Sequence, residues 1–434
     1  MNVSDYKIKL QQNSGPINKH LPEIPKYQQV TRQLWDALQG DTVWSIMKYL
    51  GVDKMDDQQF RAELEGHSFR VSEKVTPHLY KLFYGVKEKL HFDHPVDFYV
   101  VSDSTLNACA FLYQPQDPDS PYVVQVNSAM IDTMNDVELC SVVGHELGHL
   151  LDENLVLAKI IGFLFPQRDQ YGFPIMPVPL RYKYFFWKQL SELFADRYGY
   201  LATDDINACI SSEFKLKSGL KLDKMDADIT AFIEENRQSL QHFISGQGLS
   251  LNNASHPVSP IRIEALNLFA NAKTEQELNE GMDVLVDAIA RLNQNNEMGL
   301  HLLWFVVSAG LIMASADGEI TNDEVETILN NMSEFYMFPL DVLKQVTPEN
   351  CSDVFNKSLQ ALIQINPDGR PQLFLYLVNI MATDFKFKQS EIELLMQMGK
   401  EAFGFEEEFV VRLLADGIRM SVASGVVPST GSIS

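Results

Sequence analysis

The sequence predicts an α+β protein that is mainly α-helical, and three observations predict it. Apolar residues recur at helical spacing over most of the 434 residues. The β-rich runs are few and short: Val96 to Val101 and Tyr122 to Val126, with Asn107 to Tyr113 between them. From about Ala272 onward the pattern is helical throughout. A chain of 434 residues suits about three domains of ~150 residues each. We expect an N-terminal arm and helical region over 1–74, a mixed domain over 75–272, a linking helix over 273–298, a helical domain over 299–422 and a disordered tail over 423–434.

Residues 1 to about 30 are polar and proline-spotted, which suits an extended arm. From Tyr27 to about Leu90 the pattern is helical, with breaks near Gly51 and Gly66, and Leu79, Leu82, Phe83 and Val86 are spaced as one buried helix face. No chemistry is legible there, so a packing layer over the next domain is expected. His91 and His94 flank Asp93 before the first strand, a turn in which histidines are ordinarily solvated.

The strongest chemical signal is Gly144-His145-Glu146-Leu147-Gly148-His149. Asn135 can cap this helix, with Glu138 three residues on completing an N-x-x-E capping box. Leu139, Val142, Val143, Leu147 and Leu150 give it a buried face. Residues i and i+4 stand one above the other, so His145 and His149 can grip one metal ion. Glu146 is rotated about 100° from His145, where it can take a proton from a water that the metal activates. A catalytic zinc needs a third protein ligand and an open position. Glu192 lies 43 residues beyond His149 in a second helical segment marked by Phe186, Leu190, Leu193 and Phe194. Asp196, at i+4 from Glu192, can accept the free ring N–H of His145 or His149 and fix its tautomer. One Zn2+ per chain is therefore expected, held by His145, His149 and Glu192.

H-E-L-G-H followed by S-E-L-F-A-D resembles the HtpX and CAAX-prenyl-endopeptidase family of gluzincins, peptidase family M-48, with its HExxH and ExxAD signature. The resemblance covers roughly residues 75 to 270. It includes Pro95 to Val101, Asn107 to Phe111, Ser255-His256-Pro257 and the segment from Arg262 to Leu266. It implies a zincin-like catalytic domain over 75–272. It also implies that Asn107 and Ala108 open an edge strand beside the zinc, where an extended peptide adds as a further strand; the bland alternative is that Asn107 makes a turn. His256 takes the place of the family's T-H-P histidine, which lies near the metal, with Ser255 in place of threonine. It can hydrogen-bond an oxyanion or cap the open zinc position. Arg262 either steadies Asp196 or Glu192 as an ion pair or is an exposed helix charge. Family members are often membrane-embedded, and here the chain departs from the pattern.

Between the two metal helices, Leu155 to Lys188 is rich in aromatics and prolines. A lid or substrate-side wall, a packed surface loop and a membrane-dipping loop are the three readings. The segment Leu155 to Phe165 is too short to cross a bilayer. So is Leu300 to Ala316, the most apolar stretch, against the ~20 residues a spanning helix needs. The net charge of −23 argues against nucleic acid or an anionic membrane as the main partner. Met1 to Tyr6 shows neither a basic n-region nor an apolar h-region, so no secretory signal is expected. Cys109, Cys140, Cys209 and Cys351 are scattered, as free thiols of a reducing cytoplasm are.

Beyond an acidic helix from Thr274 to Leu292, Ala316 to Val325 aligns with Thr383 to Ile392. Preceded by Met313-Ala314 and Met381-Ala382, these stretches resemble the two halves of a TerB-like (tellurite-resistance) helical domain. An EF-hand is disfavoured: Asp317, Gly318, Ile320 and Glu324 fit the loop, but Met313 would fall at its first position. Helix capping is the preferred role for these carboxylates over a weak cation site. The expected whole is a cytoplasmic zinc endopeptidase in stress response or protein quality control, with Glu146 as general base. Its partners are a protein or peptide substrate and a regulatory protein reached through the TerB-like domain, with peripheral membrane contact left open. The alternative is a latent or non-catalytic zinc-stabilised adaptor or holdase.

Overall fold

A computed structural model of the chain describes residues 23–51, 62–111, 121–151, 154–168, 174–176, 178–220, 228–245, 256–294, 297–316, 325, 328–329, 343, 345–382 and 388–426. The chain divides into two compact units, Met1–Asn293 and Gln294–Ser434. It is mainly helical with one small mixed sheet.

In the first unit the sheet comprises β1 (Phe69–Arg70), β2 (Val96–Val101), β3 (Ala108–Phe111) and β4 (Tyr122–Asn127), in the order β1-β2-β4-β3. β2 and β4 run parallel, with Val96 opposite Tyr122, while β3 runs antiparallel to β4, with Ala108 opposite Val126. Among the described residues that places β3 at an edge of the sheet. Alternation along the strands sorts their side chains. Phe98, Val124 and Val126 enter a core with Phe83, Val86, Met130, Leu139, Val143 and Leu147, whereas Tyr99 and Val123 join Leu64 in a smaller cluster.

The helices of this unit are α1 (Pro25–Ala37), α2 (Gly40–Leu50), α3 (Pro77–Lys89), α4 (Ser128–Thr133), α5 (Asp136–Leu151), α6 (Asn154–Leu164), α7 (Val178–Thr203), α8 (Ile206–Ser218), α9 (Ile229–Ser245), α10 (Ser259–Asn271) and α11 (Glu275–Gln294), and α5 packs against β3 and β4. Of the face expected on α3, Phe83 and Val86 are fully buried, and Leu79 and Leu82 pack against the same core. α5 starts where the capping box is expected. Asn135 Oδ1 accepts from the Val137 and Glu138 amides at 3.0 Å each, and the Glu138 carboxylate accepts from the Asn135 amide at 2.7 Å. Glu138 also holds Lys215 Nζ of α8 at 2.7 Å and accepts from Ser211 Oγ, so this buried carboxylate is satisfied on several sides.

α7 corrects one expectation. From Val178 the aromatic stretch before Glu192 is helix rather than a surface loop: Tyr184, Phe185, Phe186 and Trp187 are buried, and Trp187 and Lys188 border a cavity, as a substrate-side wall would. Pro179 lies in the helix's first turn, where its missing N–H costs nothing, and so it permits the early start. The expected apolar run Leu155 to Phe165 is mostly helix α6.

α5 and α7 approach closely at glycines. A Cβ on Gly144 would lie 2.5 Å from Ala202 Cβ, one on Gly148 would lie 2.9 Å from Tyr198 Cβ, and one on Gly199 would lie 2.9 Å from the Ser141 carbonyl oxygen. α1 lies along the other side of α7. There Tyr27 meets Phe194 with ring centroids 5.7 Å apart, and Trp187 Nε1 donates to Thr31 Oγ1 at 3.1 Å. Arg197, almost fully buried, donates from Nη1 to the Glu23 carbonyl at 2.6 Å and lies over the Phe269 ring. The acidic helix expected as a linker is α11, which buries Leu278, Met282, Leu285, Val286 and Ile289. Lys26 of α1 holds its Asp287 at 2.8 Å and Asp283 at 3.4 Å.

The second unit comprises α12 (Glu297–Ala314), α13 (Cys351–Ile365), α14 (Arg370–Met381), α15 (Gln389–Glu401) and α16 (Glu407–Val426), with only helices and turns among its described residues. Phe305, Val307, Phe355, Phe374, Leu377, Leu395 and Phe403 form its core. Most of the first aligned stretch, including Asp317, Gly318, Ile320 and Glu324, and residues 383–387 of the second lie outside the described residues, as do residues 1–22 and 427–434. α16 continues to Val426, beyond the expected start of the tail at 423. No helix among the described residues is long and apolar enough to cross a membrane.

Candidate metal centre

α5 supplies His145, Glu146 and His149, and α7 supplies Glu192 and Asp196. Because the two helices touch glycine to side chain, their polar faces meet with little space between them. His145 Nε2 and His149 Nε2 face each other at 3.2 Å; the Glu192 carboxylate lies 3.4 Å from the first and 3.7 Å from the second. One donor atom from each of the three residues falls within 4.8 Å of the others. Donors ~2.0–2.1 Å from a tetrahedral ion stand ~3.3 Å apart, so this set fits zinc. Each ring's second nitrogen is also engaged. His145 Nδ1 is 3.0 Å from Asp196 Oδ1, and His149 Nδ1 is 3.3 Å from Ser191 Oγ. Both Nε2 atoms are thereby turned toward the shared point.

Arg262, from α10, is buried rather than an exposed helix charge. Its Nη2 and Nε donate to the two oxygens of Asp196 at 2.6 and 2.9 Å, a bidentate pairing, and Nη2 is 4.0 Å from Glu192 Oε2. His256 Nε2 lies 3.5 Å from Glu192 Oε2, with the imidazole 53% exposed. Ser255 lies outside the described residues. Asn107 and Ala108 sit at the head of edge strand β3, and the Asn107 carbonyl accepts from the Asn127 amide at 3.0 Å. A cavity of about 580 Å³ joins these groups, lined by Asn107, Ala108, His145, Glu146, Glu192 and His256 among others. His91 has no part in it, and His94 is stacked on Tyr122.

The electrostatics follow from burial and pairing. Burial opposes charge on His145, but hydrogen bonds to Asp196 and Glu192 outweigh it and raise the imidazole to about 10. Burial lowers His149 to about 4, against the pull of Glu192. Burial tends to raise the Asp196 carboxyl, yet Arg262 and His145 hold it down at about 2. Glu192 likewise stays well below the usual carboxylate range: burial is overcome by the hydrogen bond from His145 and by the charge of His149. Glu146 goes the other way. Burial lifts it to about 7, with Glu192 adding to the rise and His145, Arg262 and the Ala110 amide opposing it. Neighbouring carboxyls pushed apart in this way are set for different roles.

Residues 74–269 match peptidase family M48. The M48 segment holds every residue of the centre, from edge strand β3 to Arg262. Over 224 residues the chain is 27% identical to plastoglobule-localized metallopeptidase 48, chloroplastic, of Arabidopsis thaliana. That similarity covers 49% of this chain and 62% of the relative, so it spans less than two thirds of the relative's length. No solved structure matches the chain.

The structure adds residues to the candidate centre that sequence reasoning missed. Ser191 is the outer partner of His149. Ala110 places its amide at Glu146. Glu213 of α8 holds Arg262 from behind at 3.1 Å. Ser191 had a signal, since it directly precedes the third ligand. Glu213 belongs to no motif.

Proposed function

We propose that the chain is a zinc-dependent endopeptidase of cytoplasmic protein quality control, its second unit a TerB-like module that recruits or regulates. The observation that carries the reading is the convergence of His145 Nε2, His149 Nε2 and the Glu192 carboxylate, each ring oriented from behind. His145, His149 and Glu192 would hold the zinc, which when bound supplies a Lewis acid for the peptide carbonyl and makes water a stronger acid. Glu146 takes the proton of the attacking water and returns it to the leaving amine. In the metal-free protein burial already lifts the Glu146 carboxyl to about 7, which suits a group that exchanges a proton rather than one that stays permanently charged. His256 borders the cavity beside Glu192 and donates to the carbonyl oxygen as negative charge builds there.

β3 supports an extended protein substrate, because an edge strand offers backbone groups that a peptide can pair with irrespective of its side chains. A cavity of about 580 Å³ lies within the ~300–1,000 Å³ of small-ligand sites and suits a few residues of such a peptide. The cytoplasmic setting rests on four free cysteines.

The test compares new N-termini across the proteome of cells expressing the native chain or Glu146→Gln. The variant keeps all three metal ligands and lacks the base. We expect a set of cleavages found only with the native chain, which would also name its substrates. Identical profiles, with both proteins loaded with zinc, would exclude the endopeptidase reading.

A further inference from the structure

We propose that Glu213 is a positioning residue of the metal centre, one that holds the Arg262 guanidinium on Asp196 and away from the Glu192 carboxylate. The inference rests on the zinc reading given above. Arg262 lies among three carboxylates. Nε and Nη2 are spent on Asp196, while Nη2 already stands 4.0 Å from Glu192 Oε2. Its remaining nitrogen, Nη1, is held by Glu213 Oε2 at 3.1 Å on the far edge of the guanidinium plane. Glu213 is itself fixed: Ser259 Oγ, from the first turn of α10, donates to its other oxygen at 3.3 Å, and Lys217 lies one helical turn along at 3.7 Å. Both Glu213 and Arg262 are buried.

A guanidinium is a rigid fork with five N–H donors, so pinning both edges sets its orientation. Without the Glu213 charge, the next carboxylate within reach of Arg262 after Asp196 is Glu192, which Nη2 already approaches at 4.0 Å. A charge-assisted bond there would occupy lone pairs that the metal requires. The same swing would weaken the bidentate hold on Asp196 and so loosen the partner that orients His145. Glu213 thus acts through Arg262 on two of the three metal ligands: on Glu192 by keeping it clear, on His145 by keeping it aimed.

The test uses the purified full chain as native protein, Glu213→Gln and Glu213→Asp. Zinc affinity is read by competition with a chromophoric chelator, and the visible spectrum of the cobalt-substituted protein reports the ligand geometry. Glu213→Gln keeps size and one hydrogen-bond acceptor but loses the charge. We expect it to bind zinc about 10-fold more weakly, as outer-shell changes do, with an altered cobalt spectrum. Glu213→Asp should fall between it and the native chain. Native affinity and an unchanged cobalt spectrum in Glu213→Gln would overturn the positioning role and leave the zinc reading standing. If Glu213→Gln does not fold by circular dichroism, Glu213→Asp carries the same comparison with the same two outcomes. A native chain that takes up no zinc would overturn the metal reading, and this inference with it.

Discussion

His145 shows how much one side chain carries here. It offers Nε2 to the shared point and Nδ1 to Asp196, and in the metal-free protein its neighbours raise it to about 10. At pH 8 it is therefore an imidazolium, while His149, lowered to about 4, is already neutral. A ligand imidazole must present a lone pair, so zinc loading has to expel the Nε2 proton of His145. The sign follows: affinity rises with pH, about 10-fold per unit, for as long as His145 stays protonated in the free protein. Calorimetric zinc titrations at pH 8 in buffers of different ionisation enthalpy should give about one proton released per ion; a value near zero would refute the raised imidazole. At this scale the sequence is legible where chemistry imposes a spacing. His145, Glu146 and His149 follow from one helical turn, and Glu192 from the ligand that zinc still lacked. Arg262 left two readings open, because its partner Asp196 lies 66 residues away and only tertiary structure joins them. Glu213 was invisible for the same reason.

The pair α5 and α7 sets the spacing of the donors at the scale of elements. Gly144 and Gly148 let the second helix come within a distance that no other side chain permits. Gly148→Ala would put a Cβ 2.9 Å from Tyr198 Cβ and 3.1 Å from Ala195 Cα, both near the Glu192–Asp196 turn. We expect it to destabilise the metal-free protein by about 1–3 kcal/mol, as overpacking does, and to weaken zinc binding as the helices separate. Thermal unfolding and a zinc titration of the same preparation check this; a variant native in both would show that the helices have slack. The α5 helix itself was readable from its cap and its apolar face. The beginning of α7 was not, since the prolines before it read as loop punctuation. Tertiary burial of Tyr184, Phe185, Phe186 and Trp187 decides the matter. β1 was missed as well, two residues being too few to show an alternation.

For the molecule as a whole, the M48 match and the fold have different edges. The match runs from 74 to 269, whereas the first compact unit extends to Asn293 and takes in α1 and α11. Trp187 and Phe194 of α7 are covered by α1, Arg197 is bonded to the Glu23 carbonyl just before it, and Lys26 in turn ties α1 to α11. A fragment of residues 74–269 would expose that apolar side of α7, so we expect it to aggregate or to unfold without cooperativity. A fragment of residues 23–293 should show a single sharp transition by calorimetry. Equal behaviour of the two fragments would refute the dependence. The mainly helical α+β class and the order of elements were legible from periodicity. The seat of α1 on α7 was not, because it joins segments more than 150 residues apart. There is a consequence for anyone building chimaeras. Splice points taken from an alignment would cut through the support of the very helix being transplanted. A graft of this centre into another scaffold has to bring two flanking helices that similarity alone would leave behind.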